Sequence, residues 1–354
     1  MLFLLKRNSS LYVGLIIIAV GIIICGCAPR IDLPNMVTPN GKPTAIHTAS
    51  PTPEPTLVEV EETATTTPSE AVIAPSSLPP GQYIVYCSFD ELNPEGMAVN
   101  SLFVIDTQGY YHGRLVYDAC RSAISPDGKS IVVEKYLKLS RELGIINLES
   151  REEIVMKDSI GCGEASWAPN GKFIVAACDN NIKVFTVEDG FVFMLDNCED
   201  RGDGCGSPKW SPNGETIVYD FLRTFNIGSG VYFTKTDCIE DQGECEPQQL
   251  GSSLNLGTYS WSPDSRQIAA PHYPDSIALL KFPSGSLEVL KFISRQTVMN
   301  IAWSPDGEFL AATTGSTSGP LSQVYLVNVA TGKYSGIGDR PGNKSVMFWL
   351  DVQN

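Results

Sequence analysis

The feature that most constrains this chain is a twelve-residue string that occurs five times. AWSPDGEFLAAT stands at 302–313, SWSPDSRQIAAP at 260–271, KWSPNGETIVYD at 209–220, SWAPNGKFIVAA at 166–177 and AISPDGKSIVVE at 123–134. Its centre is turn chemistry. Ser304-Pro305-Asp306-Gly307 places Ser, Pro and Gly where a type I turn prefers them. Trp303 enters the turn, and Phe309, Leu310, Ala311 and Ala312 leave it as a consecutive apolar run. Such a run reads as a strand buried on both faces. The repeat prolines, Pro126, Pro169, Pro212, Pro263 and Pro305, are spaced by 43, 43, 51 and 42 residues. The five tryptophans keep the same rhythm: Trp167, Trp210, Trp261 and Trp303 each precede a repeat proline by two, and Trp349 follows Trp303 by 46. A period of about 40–45 residues with one turn motif per unit points to propeller blades.

A sixth hairpin is present in pieces. Pro80-Gly81-Gln82-Tyr83-Ile84-Val85-Tyr86 matches the second half of the motif, and its missing first strand can come from 345–350, where the chain stops before any turn. One blade built from both ends would close the ring and remove free sheet edges. The expected fold is therefore all-β: a six-bladed β-propeller of four-stranded antiparallel blades, the first closed by the C-terminal strand. Third strands are expected at 102–105, 144–148, 182–187, 231–234, 277–282 and 324–329, and a weaker fourth strand follows, as at 287–292. The tryptophans act as wedges between blades, with Trp349 filling the place that Trp303 fills one blade earlier.

The W-S-P-D-G turn and its following strand resemble the WD40-like (PD40) repeats of six-bladed TolB-type propellers, over roughly residues 81–354. The resemblance implies the fold. It does not carry a function, because related repeats serve scaffolds, peptidase gates and sensors. TolB has a small α/β domain ahead of its propeller; nothing in this sequence matches that domain, so its role with Pal is not carried over.

Residues 1–27 read as an export signal, with Lys6 and Arg7 ahead of an apolar stretch at 11–24. Ile24-Cys25-Gly26-Cys27 resembles a lipobox, which makes Cys27 the lipidated residue of a membrane lipoprotein. The rival readings are free secretion and an uncleaved anchor, although the stretch is shorter than the ~18–20 residues a spanning helix prefers. Either way the rest of the chain faces outward, extracellular or periplasmic. Residues 28–80 are rich in Pro and Thr and too poor in apolar residues to form a core. They read as a tether reaching at most roughly 160 Å when extended, and the propeller domain follows at 81–354.

The formal charge is −15. Such a surface repels nucleic acid and anionic lipid headgroups. Beyond Cys25 and Cys27 stand eight cysteines: Cys87, Cys120, Cys162, Cys178, Cys198, Cys205, Cys238 and Cys245. An even set in an exported chain reads as disulfides. Cys198–Cys205 and Cys238–Cys245 would close short loops, each contributing ~2.5 kcal/mol in the loop-entropy account. Antiparallel pairing brings Cys162 near Cys178, and Cys87 and Cys120 share a rim, but the connectivity of these four stays open. Zinc is disfavoured by the spacing and the scarcity of His.

Catalytic motifs are thin. The histidines are His47, His112 and His272; 315–319, GSTSG, has Thr where a nucleophile elbow needs Ser, and no phosphate-binding loop or dinucleotide fingerprint occurs. Asp127, Asp264 and Asp306 belong to the turns, where Asn170 and Asn213 replace them. No catalytic residue or cofactor is assigned. Two acidic loops, 196–203 and 237–244, concentrate oxygen ligands of the kind Ca²⁺ takes, without EF-hand spacing; solvated loops are the simpler account.

Strand order places the second-to-third-strand loops at one end of the ring. The long ones, 88–100, 221–230 and 314–322, bring Phe89, Phe221 and Phe225 there, and the fifth unit adds His272 and Tyr273. This loop-rich mouth is the expected binding face. The favoured function is a non-enzymatic, membrane-anchored module that binds a protein, peptide or glycan outside the membrane. A propeller enzyme acting on a glycan or lactone through channel carboxylates, with or without Ca²⁺, is the alternative, and a structural envelope component a further one.

Overall fold

The structure, a computed structural model, describes residues 72–92, 98–136, 140–198, 204–222, 230–240, 244–251, 258–272, 275–291, 297–316, 319–338 and 344–353. The expected export segment, Cys27 and the expected tether through residue 71 lie outside the described residues.

Each repeat folds around its turn as the side chains dictate. The Gly307 N–H returns to Ser304 O at 3.0 Å, and the same bond recurs from Gly128, Gly171, Gly214 and Ser265. The serine hydroxyl donates to the Asx carboxamide or carboxylate two residues on: Ser125 to Asp127 (2.6 Å), Ser211 to Asn213 (2.7 Å), Ser262 to Asp264 (2.6 Å) and Ser304 to Asp306 (2.6 Å). The Asx oxygen then accepts the N–H two residues further, as Lys129 N to Asp127 at 3.1 Å. The turn carboxylates thus do local backbone chemistry. The fourth turn position has positive φ, 71° at Gly128 and 75° at Gly307, which glycine adopts without strain. Ser265 holds it at 59°, and its hydroxyl accepts the Asn213 N–H of the neighbouring blade at 2.9 Å.

Among the described residues, twenty-four strands form six four-stranded antiparallel sheets. Blade 1 is β24 (Lys344–Val352), β1 (Gly81–Leu92), β2 (Ala98–Asp106) and β3 (Tyr111–Tyr117), from the channel outward. Blade 2 is β4 (Ser122–Ile124), β5 (Ser130–Tyr136), β6 (Arg141–Asn147) and β7 (Glu153–Val155); blade 3 is β8 (Cys162–Trp167), β9 (Phe173–Cys178), β10 (Asn181–Thr186) and β11 (Gly190–Asp196). Blade 4 is β12 (Gly204–Trp210), β13 (Thr216–Leu222), β14 (Gly230–Lys235) and β15 (Gln248–Gly251), with a one-turn helix α1 (Asp237–Glu240) before β15. Blade 5 is β16 (Ser260–Trp261), β17 (Gln267–His272), β18 (Ser276–Lys281) and β19 (Leu287–Lys291); blade 6 is β20 (Thr297–Trp303), β21 (Phe309–Ser316), β22 (Gly319–Asn328) and β23 (Tyr334–Ile337).

The ring closes as expected. β24 pairs antiparallel with β1 from Gly81↔Val352 to Ser88↔Lys344. The core divides into six apolar clusters, one at each blade junction. Trp349 is buried with Ala302, Ala311 and Tyr86 at the junction of blades 6 and 1. Its indole N–H donates to Ala302 O at 3.0 Å, one blade back. Trp167 does the same to Ala123 O (3.2 Å) and Trp261 to Lys209 O (3.3 Å), so the repeat tryptophan joins blades by a bond as well as by packing. Trp210 donates instead within its own turn, to Gly214 O, and Trp303 Nε1 is buried without a hydrogen-bond partner among the described residues.

Two expectations are corrected. The loops at 88–100 and 314–322 are mostly strand, because β1 and β2 pair out to Leu92↔Ala98 and β21 and β22 out to Ser316↔Gly319. The folded unit also reaches back beyond Gly81. Val72 bridges Arg114 in parallel, Leu78 is buried, Ser76 bonds Glu149 through its N–H (2.8 Å) and hydroxyl (2.7 Å), and Arg151 donates to Leu115 O and Ile73 O. Residues 72–80 thus strap blade 1 to blade 2.

Candidate functional site

Innermost strands begin, second strands end and third strands begin at one end of the ring, the mouth; the SPDG-type turns crowd the other end. A central cavity of about 1210 Å³ runs along the innermost strands. Three disulfides lie at its mouth: Cys87–Cys120 joins blade 1 to the start of β4, Cys162–Cys178 ties β8 to β9, and Cys198–Cys205 ties the entry of blade 4. Cys238–Cys245 closes its short loop around α1. Both short-loop pairs are as expected, and the two pairs left open by the sequence are Cys87–Cys120 and Cys162–Cys178.

These mouth cysteines stand directly ahead of a set of equivalent residues. Cys120 precedes Arg121 by one, Cys162 precedes Glu164 by two and Cys205 precedes Ser207 by two. Arg121, Glu164 and Ser207 are successive repeat equivalents, 43 residues apart. All three adopt left-handed backbone, with φ of 59°, 45° and 51°. For an L-residue with a side chain this costs roughly 1–2 kcal/mol each, and such strain persists only where the surroundings over-determine it. Glu164 and Ser207 sit in bulges of β8 and β12. The equivalents in blades 5, 6 and 1 are Thr258, Asn300 and Val346; none has a cysteine just ahead of it, and Asn300 and Val346 have no positive φ.

The left-handed turn brings the three side chains into one bonded arc. Arg121 Nη1 lies 3.3 Å from Glu164 Oε1 and 3.6 Å from Glu134 Oε2. Glu164 Oε2 accepts both the N–H and the hydroxyl of Ser207, each at 3.0 Å. Ser207 O accepts the Tyr259 hydroxyl at 2.6 Å. Behind the arc, the Glu134 side chain is 1% exposed and also meets Arg141 Nη1 at 3.4 Å. Arg121, by contrast, is 51% exposed. Glu134 can lie so deep because residue 163 is glycine: a Cβ there would stand 2.7 Å from the Glu134 carboxyl carbon. Lys209 lines the same cavity; burial pushes its ammonium pKa down, with Glu164 and Asp220 opposing. Burial likewise raises the Tyr259 phenol, reinforced by Asp220 and Glu164. In blades 5 and 6 the equivalent positions are uncharged: Thr258 donates to Met299 O at 2.5 Å and Asn300 to the Ser345 hydroxyl.

Of the residues singled out from sequence for the binding face, the described side chains are those of Phe221 and His272. Phe221 is in β13 rather than a loop. It pairs with Cys205 and is 3% exposed, its ring 4.9 Å from Tyr232, so it belongs to the core between blades 3 and 4. Phe89 falls within β1, and Phe225 and Tyr273 lie outside the described residues. His272 ends β17 at the mouth, with Nδ1 3.0 Å from Ser276 Oγ, while His112 meets Asp106 at 3.1 Å at the other end of the ring. Residues 199–203 and 241–243 of the acidic loops are outside the described residues. Asp196, Cys198 and Cys205 converge within 4.8 Å, but those sulfurs are joined to each other and offer no thiolate, and Asp196 accepts the Tyr219 hydroxyl at 2.6 Å. Sequence reasoning missed Arg121, Glu134, Glu164 and Ser207. The available signal was positional: three residues before the tryptophan, or before Ile124 in blade 2, and just after a cysteine.

Residues 159–186, which span β8 to β10, match the family described as WD domain, G-beta repeat. No curated protein matches the chain. Among solved structures, the chain is similar to TolB from Acinetobacter baumannii, with a TM-score of 0.58, 16% identity and coverage of 76% of this chain and 66% of that one. It is similar to a chain of the Nidogen/Laminin complex (TM-score 0.56, 12% identity, 77% of this chain and 100% of that one) and to putative TolB from Agrobacterium tumefaciens (0.53, 14%, 78% and 98%). At these identities the likeness is one of fold: a TolB-like, WD40-like six-bladed propeller.

Proposed function

We propose that the chain is an exported, membrane-tethered and non-enzymatic interaction module whose ligand surface is the mouth of the central channel. The observation that carries this reading is the arc of Arg121, Glu164 and Ser207. Three consecutive blades hold a strained residue of unlike chemistry at one repeat position, each just after a disulfide cysteine. Packing alone does not require this, since blades 6 and 1 close the same ring without it. The bonded side chains are pre-set, which lowers the ordering cost of binding. Eight paired cysteines favour an oxidising compartment, and Cys27 supplies the membrane attachment. The ligand is a protein, peptide or glycan of that compartment.

The test is retention from native membranes by the full-length chain, wild type against Arg121→Ala and Glu164→Ala, with melting temperature as the control for folding. Specific retention by the wild type, reduced in variants that still melt near the wild-type temperature, supports the module. Equal retention by all three removes the arc from the function.

A further inference from the structure

We infer that the mouth arc binds a neutral glycan, seating a pyranose ring on Tyr136 with its hydroxyls against Arg121 and Glu164; this rests on the mouth being the interaction surface. Tyr136 ends β5 two residues after Glu134, so both side chains leave the same face of the strand. Arg141 stands directly opposite Tyr136 on β6, and its guanidinium reaches Glu134 Oε1 at 3.4 Å and Gly161 O at 3.3 Å. The tyrosine ring therefore stands at the cavity edge beside a fixed guanidinium, with Arg121 and Glu164 further round the wall. Tyr136 is 69% exposed, a large flat apolar face with a polar edge.

The chemistry of the arc selects among ligand classes. Its charges are already matched, Arg121 with Glu134 and Glu164, and Arg141 with Glu134. A ligand carboxylate would have to approach two glutamates in a protein of charge −15, and a ligand ammonium would have to approach two arginines. Either would break an existing pair. A hydroxyl both donates and accepts, so it can add to a lone pair of Glu164 and to an N–H of Arg121 without displacing either from the other. A pyranose presents several such hydroxyls around its edge and a C–H face for an aromatic ring. Neutral sugar is thus the class that fits donors, acceptors and the exposed ring together.

The experiment titrates the purified full-length chain with cellohexaose, chitohexaose, hexagalacturonate and a neutral heptapeptide. We expect one of the two neutral hexaoses to bind, Tyr136→Phe to keep that binding, and Tyr136→Ala to weaken it about tenfold or more, with unchanged melting temperature. Glu164→Gln should weaken it as well. Binding of hexagalacturonate or heptapeptide alone, no binding of any hexaose, or hexaose binding indifferent to Tyr136→Ala would each overturn the glycan assignment. If membrane retention is lost in Arg121→Ala while no hexaose binds, the interaction module stands and the glycan reading alone falls.

Discussion

A methyl group at position 163 would stand 2.7 Å from both the carboxyl carbon and Oε2 of Glu134. Neither partner has room to yield, since Glu134 is buried and held by two arginines. Gly163→Ala is therefore expected to destabilise the fold by roughly 1–3 kcal/mol, read as a lower denaturant midpoint; an unchanged midpoint would show that the carboxylate is not packed on the glycine. The turn aspartates act differently. Bonds from Ser125 and Ser262 hold Asp127 and Asp264 below the usual carboxylate range against a smaller burial effect; at Asp306, burial is outweighed by bonds from Ser304, Glu308 N–H and Gln82. A carboxyl whose folded pKa is depressed stabilises the fold above its unfolded pKa, near ~3.9, and loses that contribution as pH falls through the folded value. The variant carrying Asp127→Asn, Asp264→Asn and Asp306→Asn should accordingly show a shallower fall of stability below about pH 4 than the wild type. Asn170 and Asn213 already make the turn without titrating, so the variant should fold. An equal acid slope would mean that other carboxylates govern it.

At the scale of the strand, closure of the ring is the decisive contact. β24 joins β1, and Trp349 fills the last junction and bonds Ala302. Removing such a side chain typically costs ~3–5 kcal/mol, against the ~5–15 kcal/mol that holds a domain folded. Trp349→Ala should lower the unfolding temperature and open β1 to protease near Gly81. A variant that melts with the wild type and resists protease there would show the ends to be independent. This closure was legible in the sequence because half-motifs at 80–86 and 345–350 need each other, and the period-43 turns counted the other blades. Long binding loops were misread because an apolar–polar strand and a loop of similar composition differ only in pairing, as with Phe221, which the Cys205 strand draws into the core. The arc was hidden for another reason. Left-handed backbone at Arg, Glu and Ser leaves no compositional trace, and of the disulfides beside it only Cys198–Cys205 was legible from spacing.

For the whole molecule, the propeller is covalently pinned at its mouth by three disulfides, and the proposed lipid anchor at Cys27 has its own test. Mass spectrometry of the mature N-terminus should find a diacylglyceryl Cys27; an intact Met1, or a start at an unmodified tether residue, would contradict the lipid anchor. The pinned mouth, and not the turn end, is the proposed ligand surface. Hydroxyl-radical footprinting of the full chain in its native membranes, compared with the purified chain, separates the two ends. Lowered reactivity is expected at Tyr136 and at the peptides carrying Arg121 and Glu164, with Pro126, Pro212 and Pro305 at the turn end unchanged. Protection confined to the turn end, or identical footprints in both preparations, would contradict it.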